Sequence, residues 1–516
     1  MADRADGQDN GQDAVFAFLA DPATHGGRKV HRIDTHAASV FLAGDRALKI
    51  KRAVRFPFLD YSTLEKRKAA CAAELAVNAP YAPEIYRGIV AITREADGKL
   101  AVGGAGAAVE WAVQMRRFDE NCTLDHLAQA IDARLADALG RAVAAAHRQC
   151  QPLDGGAWIA ALGAYIDEHA EVFRRHRRIF PPDDTEALVR QSRTAYERIM
   201  PLLRERSRGG FVRRIHGDLH LGNIVLIDGK PVLFDAIEFS DIIASGDVFY
   251  DLAFLLMDLL ERGLAQPANI VFNRYLAENH RIDDLDALAA LPFFLSMRAA
   301  IRAKVTVARL ERGADAERQE TAQAARAYFA FALRAIAPPP PQLVAVGGFS
   351  GTGKSRLARS LAADIEPMPG AVVIRSDLER KTLFGVGETE KLPASAYAAD
   401  VNARVYATLA DKARHVLAAG HSVIIDAVFA RPQERAVIAA VAASGKIPFR
   451  GLFLTADLDI RLKRVGARAA DASDADAAVA KSQESYDVGP IDWAPIDASG
   501  TPEHALELAR SAVTAP

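Results

Sequence analysis

The 516-residue sequence predicts two domains of mixed α and β structure: a strand-rich lobe followed by a helical lobe (α+β), then a parallel α/β sheet. Three observations carry this. Pro338-Pro339-Pro340-Pro341 forms a stiff spacer between a helical stretch and an apolar strand. Upstream, short apolar runs punctuated by turn residues give way from Leu124 to long stretches with apolar residues at helical spacing. Downstream, strands alternate with helices, as in a parallel sheet. At about 150 residues per domain, the chain is too long for one small domain.

Half the residues are hydrophobic (50%), a quarter are charged (25%) and the formal net charge is -2, so an ample core is available and disorder is excluded as the dominant state. The near-neutral balance leaves nucleic acid or anionic membrane only a local patch to meet, and no clear nucleic-acid patch is evident. Cys71, Cys122 and Cys150 form no CxxC, which argues against a disulfide framework or a zinc site and fits a reducing cytoplasm. Met1–Gln12 is acidic and rich in Gly, Asn and Gln without an apolar stretch, so it reads as a disordered tail rather than a signal peptide. No uninterrupted apolar run reaches membrane-spanning length, since Asp251 and Asp258 break Phe249–Leu260, and no fixed-period repeat is visible.

In the first domain, Val40–Leu42 and Leu48–Lys51 read as strands around Gly44-Asp45, and Leu64–Ala79 as a helix stopped by Pro80. Ile85–Thr93 and Ala108–Arg117 follow as strands, with the turn Asp97-Gly98 between them. Helical spacing then covers Asp132–His147, Trp158–Phe173, Asp184–Leu203, Ala287–Leu310 and Ala316–Ile336. One hairpin interrupts it, Ile224–Ile227 and Val232–Phe234 around Asp228-Gly229.

That hairpin follows His216-Gly217-Asp218-Leu219-His220-Leu221-Gly222-Asn223 and ends at Phe234-Asp235. Phosphoryl transfer needs a carboxylate near the attacking hydroxyl, an amide and a carboxylate on Mg²⁺, and rigid spacing between them. Asp218 would orient the acceptor proton, and Asn223 and Asp235 would hold metal. These residues resemble the catalytic loop of the aminoglycoside phosphotransferase-like kinases, which share the protein-kinase fold and include choline, homoserine and fructosamine kinases. The resemblance runs over most of Val30–Ile336 and implies a bilobal fold. It implies that Lys49, in Ala47-Leu48-Lys49-Ile50, contacts the α- and β-phosphates with Glu74 as its helix partner, and that Glu110–Met115 is the hinge beside adenine. Lys51 lies on the same strand face as Lys49 and competes with it, as Glu65 does with Glu74. The turn Thr35–Ser39 lacks G-x-G-x-x-G, leaving phosphate contacts to Ser39 or to backbone N–H groups. Ala236-Ile237 follows Asp235 where protein kinases have Phe-Gly, which removes the glycine that lets an activation segment flip. His216, Asp247 and Asp251 read as structural, holding loop backbone by hydrogen bonds. Arg174–Arg178 reads as a solvated helix face, as do Arg298, Arg302 and Arg309, although these three would also suit a cleft for an acidic acceptor.

In the second domain, strands are expected at Leu343–Gly347, Ala371–Arg375, Ser422–Asp426 and Arg450–Thr455. Gly348-Phe349-Ser350-Gly351-Thr352-Gly353-Lys354-Ser355 matches G-x-x-x-x-G-K-[ST], a string expected by chance about once in fifty chains of this length. It lies between a strand and the helix Ser355–Ala363, so backbone N–H groups converge on one point. Its glycines let the backbone wrap a phosphate, Lys354 would bridge the β- and γ-phosphates, and the Ser355 hydroxyl would hold Mg²⁺. Asp377 and Asp426 stand at strand ends, where ligands of open sheets gather. With Ser376-Asp377-x-x-Arg380, Ile425-Asp426-Ala427 and Arg464 and Arg468, the segment resembles P-loop kinases of the polynucleotide-kinase and zeta-toxin type. That resemblance implies an acceptor-side base at Asp377, a Mg²⁺-side carboxylate at Asp426 and lid arginines at Arg464 and Arg468. The competing reading makes Asp377 a helix N-cap.

The expectation is a cytoplasmic fusion of two ATP- and Mg²⁺-dependent modules acting on small-molecule acceptors. Its parts are a lead-in (1–27), a kinase domain (28–337, lobes 28–117 and 118–337), the linker (338–341) and a P-loop domain (342–516). The sequence sets no oligomeric state. An aminoglycoside-modifying resistance kinase and a nucleotide-sensing regulator are the alternatives.

Overall fold

The computed structural model describes residues 12–56, 59–310, 315–467 and 472–514. Backbone contacts divide the chain into two units, one of Met1–Ile131, Ala145–Ala161 and Leu203–Leu255, the other of Asp132–Ala144, Leu162–Leu202 and Leu256–Pro516.

The first unit opens with a helix, α1 (Gln12–Ala20), inside the expected lead-in. Val15, Phe16 and Leu19 form its apolar stripe and pack on Phe41, Leu48, Ile50 and Ile92. Strands β1 (Val30–Asp34), β2 (Ala38–Ala43) and β3 (Arg46–Lys51) precede helix α2 (Leu64–Asn78), and β4 (Tyr86–Arg94), β5 (Leu100–Val102) and β6 (Ala107–Arg116) follow it. All six strands form one antiparallel sheet in the order β1-β2-β3-β6-β4-β5, in which β1 and β5 are additions to the sequence-based strand set. Alternation along β3 sends Leu48 and Ile50 into the core under α1, and Lys49 and Lys51 to the opposite face.

Thr63 caps α2 by accepting from the Lys66 N–H, and the helix ends one residue before Pro80 removes a donor, at Ala79. Its fully buried face reads Arg67, Cys71, Glu74, Asn78, which is helical spacing with polar groups where a core helix would carry aliphatic ones. Later in this unit, Ile224–Ile227 and Lys230–Leu233 pair as the expected hairpin. Its two turn residues, Asp228 and Gly229, both adopt positive φ (50° and 75°), as a tight hairpin turn requires. Helix α3 (Val248–Glu261) starts from Asp247, whose carboxylate accepts from the Phe249 N–H at 2.9 Å.

The second unit includes helix α4 (Ala265–Asn279), the helices Leu291–Val307 and Asp315–Ile336, and a five-stranded parallel sheet. In chain order the sheet uses β7 (Leu343–Gly348), β8 (Val372–Arg375), β9 (Val423–Asp426), β10 (Phe449–Thr455) and β11 (Ala494–Asp497), with spatial order β8-β9-β7-β10-β11. Four of these strands match expectation; β11 is new. Helices α5 (Lys354–Ala362), α6 (Ser376–Leu383) and α7 (Leu458–Gly466) each follow the carboxyl end of a strand. Strand β8 is an edge, but its outer side is not bare. The Val373 N–H donates to Asn273 Oδ1 (2.7 Å), and the Asn269 and Asn273 amides both donate to the Ala371 carbonyl (3.1 Å each), so two side chains one turn apart on α4 stand in for a neighbouring strand. The four prolines lie between the helix ending at Ile336 and β7. Among the described residues, no helix is long and apolar enough to cross a membrane.

Candidate active sites

The first cluster grows from β3 and α2. Glu74, fully buried, receives Lys49 Nζ at 2.8 Å on one oxygen and Lys51 Nζ at 2.6 Å on the other. Each lysine meets a second carboxylate from the segment after the hairpin: Asp235 at 2.6 Å for Lys49, and Glu238 for Lys51. Glu238 also accepts from the Tyr61 hydroxyl at 3.1 Å. The two competing lysines therefore divide: Lys49 faces the carboxylate expected to hold metal, and Lys51 is buried against a second acid. Glu65 sits exposed in the first turn of α2, away from both.

Burial alone would raise the Glu74 carboxyl, but Lys49 and then Lys51 outweigh it and bring it down to about 2. Burial would likewise lower Lys49, yet Asp235 and Glu74 hold it well above its ordinary value. A carboxylate whose folded pKa is depressed stabilises the fold above its unfolded value, here 4.5, and that contribution is lost as pH falls toward about 2. Acid titration of unfolding should therefore show a loss of stability across that window, and Glu74→Gln should flatten the dependence while lowering stability at neutral pH.

The loop after Val212–Arg214 carries the remaining groups. Asn223 Nδ2 donates to Asp218 Oδ2 at 3.0 Å and to the Asp218 carbonyl at 2.9 Å, which turns the amide oxygen away from Asp218. His220 Nδ1 accepts from the Gly222 N–H (3.1 Å), so its proton is on Nε2, 3.4 Å from Asp218 Oδ2. Below the loop, the Asp251 carboxylate accepts from the His216 and Gly217 N–H groups (3.0 Å each) and lies 3.2 Å from His147 Nε2. Asp247 holds the Arg206 guanidinium through two bonds, 2.6 and 2.9 Å. His216 Nε2 donates to the Phe234 carbonyl at 2.9 Å, and burial pushes its pKa down, so it is a neutral tether between loop and hairpin. Asp235 itself adopts φ +60°, a left-handed conformation rare for a residue with a side chain.

Two expectations for this cluster are corrected. Glu110 is not at a hinge: it is fully buried in mid-β6, where Arg67 Nε and Gln12 Nε2 engage its carboxylate at 2.9 and 2.7 Å. The strand runs on to Arg116, so Met115, packed with Phe118 and Phe234 around the hairpin core, marks the end of the sheet instead. Ser39 is spent on Asp34, to which its hydroxyl donates at 2.7 Å, and has no phosphate role to offer. The basic run folds as a solvated face, with Arg174 on Glu186 and Arg175 on Glu171. Arg302 lies over the Tyr328 ring, and Arg298 is buried.

The second cluster stands at the carboxyl ends of β7, β8 and β9. Gly348, Gly351 and Gly353 have φ of +140°, +88° and +94°, and α5 begins at Lys354, so the loop turns its amides into the start of a helix whose first N–H groups lack intrahelical partners. A Cβ at Gly351 would lie 2.6 Å from the Arg461 carbonyl oxygen. Gly351→Ala should therefore distort the loop and weaken nucleotide binding at this cluster by more than tenfold, as read by calorimetry.

Ser350 is held rather than free: its N–H donates to Gln483 Oε1 (2.7 Å) and its carbonyl accepts from Arg461 Nε (3.0 Å). Thr352 closes the loop on itself through the Phe349 carbonyl at 2.8 Å. Asp426, 2% exposed, meets Arg375 Nε at 3.4 Å with one oxygen, while its Oδ1 has no hydrogen-bond partner. An orphaned buried carboxylate oxygen at the carboxyl end of β9 fits a hard cation such as Mg²⁺, as the Asn223 and Asp235 oxygens do in the first cluster.

Asp377 lies in the first turn of α6, whose N-cap is Arg375, so the N-cap reading is excluded. Burial raises its carboxyl above the ordinary range, Lys354 pulls it down and Asp426 adds to the rise, which sets all three in one electrostatic neighbourhood. Arg464 does not project from a lid: it donates to the carbonyls of Thr352 (3.4 Å) and Gly500 (3.1 Å). Arg468 lies outside the described residues. Sequence reading passed over Arg461, which is buried across Ser350, Ala480 and Glu484 and stacks on Phe349. It also passed over Gln483, Asn78 and Glu238, none of which forms a local motif, and gave His220 no role within the His216–Asn223 loop.

Two protein families match separate parts of the chain. The phosphotransferase enzyme family matches residues 29–291, and an AAA domain family matches residues 343–487. Uncharacterized proteins of Mycobacterium tuberculosis and Mycobacterium bovis are 31% identical over 477 residues, covering 88% of this chain and 90% of theirs. Among solved structures, a choline/ethanolamine kinase family protein from Mesorhizobium loti covers 63% of this chain and 98% of its own at 16% identity and a TM-score of 0.36. A gluconokinase from Sinorhizobium meliloti covers 34% of this chain and 94% of its own, at 20% identity and a TM-score of 0.25.

Proposed function

The chain belongs to the phosphotransferase enzyme family, with a P-loop kinase-type domain behind it, and on that footing we propose that it is a two-module, cytoplasmic kinase. Each module transfers the γ-phosphoryl group of ATP to a hydroxyl of a small-molecule acceptor. The observation that carries the reading is the bonded pair Asp218–Asn223, at 3.0 Å, in the same unit as the Lys49–Asp235 pair at 2.6 Å. A carboxylate for the acceptor, an amide and a carboxylate for metal, and a lysine for phosphate are thereby assembled before substrate arrives.

In the first module Lys49 and the chain following Met115 hold ATP, and Asn223 and Asp235 hold Mg²⁺. The metal, when bound, neutralises charge on the phosphates. Asp218, oriented by Asn223 and His220, accepts the hydrogen bond of the acceptor hydroxyl. The new O–P bond forms in line as the bond from Pγ to the bridging oxygen breaks, ADP leaves, and the hydroxyl proton passes to Asp218 and then to solvent. In the second module Lys354 and the loop amides hold the phosphates, Ser355 and Asp426 hold Mg²⁺, and Asp377 takes the acceptor proton. Its raised pKa makes it a better base than an ordinary carboxylate at neutral pH.

The test is ATP consumption with Mg²⁺ against a panel of hydroxyl-bearing metabolites and aminoglycosides, using the wild type, Asp218→Asn and Lys354→Ala. The reading expects at least one metabolite to be phosphorylated and one variant to lose it. Turnover on aminoglycosides alone moves the assignment to a resistance enzyme; nucleotide binding without any turnover moves it to a nucleotide sensor.

A further inference from the structure

Asp235 is held in a conformation that its own side chain disfavours, with φ at +60° and no glycine to make it easy. Its two flanking peptide groups explain how. The peptide before it is fixed by His216, which donates to the Phe234 carbonyl (2.9 Å), and by the Tyr86 hydroxyl, which accepts from the Asp235 N–H (3.2 Å). The peptide after it is fixed from α2, where the Ala236 N–H donates to Asn78 Oδ1 at 2.7 Å; Asn78 Nδ2 also donates, at 3.2 Å, to the Ala236 carbonyl in the following peptide. Because ψ of Asp235 is the orientation of that second peptide, one side-chain amide governs where the carboxylate points.

Asn78 is completely buried, and its Nδ2 also donates to the Glu74 carbonyl at 3.1 Å, so the amide cannot rotate without breaking three bonds. Glu74 and Asn78 stand four residues apart on one helix face. The first sets the phosphate lysine, the second sets the metal carboxylate, and a rigid turn of helix fixes one against the other. Resting on the proposed kinase reading of this cluster, we infer that Asn78 is a positioning residue for the Mg²⁺-bearing carboxylate Asp235, acting through the Ala236 backbone. Leucine keeps the volume and loses all three bonds, and aspartate keeps the acceptor, loses the donor and adds a charge beside Glu74.

The experiment uses the full-length chain carrying Lys354→Ala, which removes the second nucleotide site, with a non-hydrolysable ATP analogue titrated in the presence and absence of Mg²⁺. Binding by this parent is the control for the reading itself: a parent with no Mg²⁺-dependent binding overturns the kinase assignment of the first cluster and this inference with it. With the parent competent, Asn78→Leu should weaken binding with Mg²⁺ by about tenfold to a hundredfold and leave binding without Mg²⁺ within about twofold, since Lys49 and Glu74 are intact. Asn78→Gln, which keeps both amide functions on a longer arm, provides the readout if the leucine variant fails to fold, and should show the same selective loss to a smaller extent. Equal weakening with and without Mg²⁺, or a lower melting temperature with an unchanged Mg²⁺ dependence, would mean that Asn78 only stabilises the fold and would overturn the inference.

Discussion

Replacing Asp218 by asparagine should lower phosphoryl transfer by the first module about 10²–10⁴-fold while changing its ATP affinity by no more than about twofold. The substitution keeps the side chain's shape but removes the charge that accepts the acceptor proton. Asn223 donates to Asp218 at 3.0 Å and His220 Nε2 lies 3.4 Å from the same oxygen, so an amide at this position also disturbs the contacts that orient it. Lys49, Glu74 and Asp235 bind one another without involving Asp218, which is why nucleotide affinity should be spared. Steady-state turnover and equilibrium binding, measured in the Lys354→Ala background, separate the two effects. A matching fall in both would show that Asp218 supports the fold rather than the chemistry.

Lys354→Ala should lower transfer by the second module about 10²–10³-fold and remove most of its ATP affinity. Lys354 is nearly buried at the first position of α5, in the neighbourhood of Asp377 and Asp426. Alanine removes the one cationic side chain of Gly348–Ser355 and the charge that offsets Asp377 and Asp426 in this neighbourhood. The first module's kinetics should be unchanged, which makes the pair of variants a reciprocal assignment of any activity found. The check is initial rate against ATP concentration for each single variant and for the double variant, which should be inert.

The residues legible in the sequence are those held in local motifs. Gly348–Ser355 and His216–Asn223 fix their geometry within one loop, and the hairpin turn at Asp228-Gly229 fixes the distance to Asp235. Period-two alternation placed Lys49 and Lys51 on one face, but only the fold assigns one to Asp235 and the other to Glu238. Glu110 shows the opposite difficulty. The family resemblance puts it at the hinge, and its partners, Arg67 and Gln12, are 43 and 98 residues away in sequence. Asn78, Arg461 and Gln483 were invisible for the same reason: each bonds backbone of a distant segment, and backbone carries no sequence signature. Helix α1 escaped notice because only Val15, Phe16 and Leu19 form its stripe.

The central claim is two nucleotide sites in one chain, and the most direct measurement is calorimetric titration of the wild type and Lys354→Ala with a non-hydrolysable ATP analogue and Mg²⁺. The account predicts saturation at two nucleotides per wild-type chain and at one per variant chain. Saturation of the wild type at one, with that site surviving or vanishing in Lys354→Ala, would contradict it.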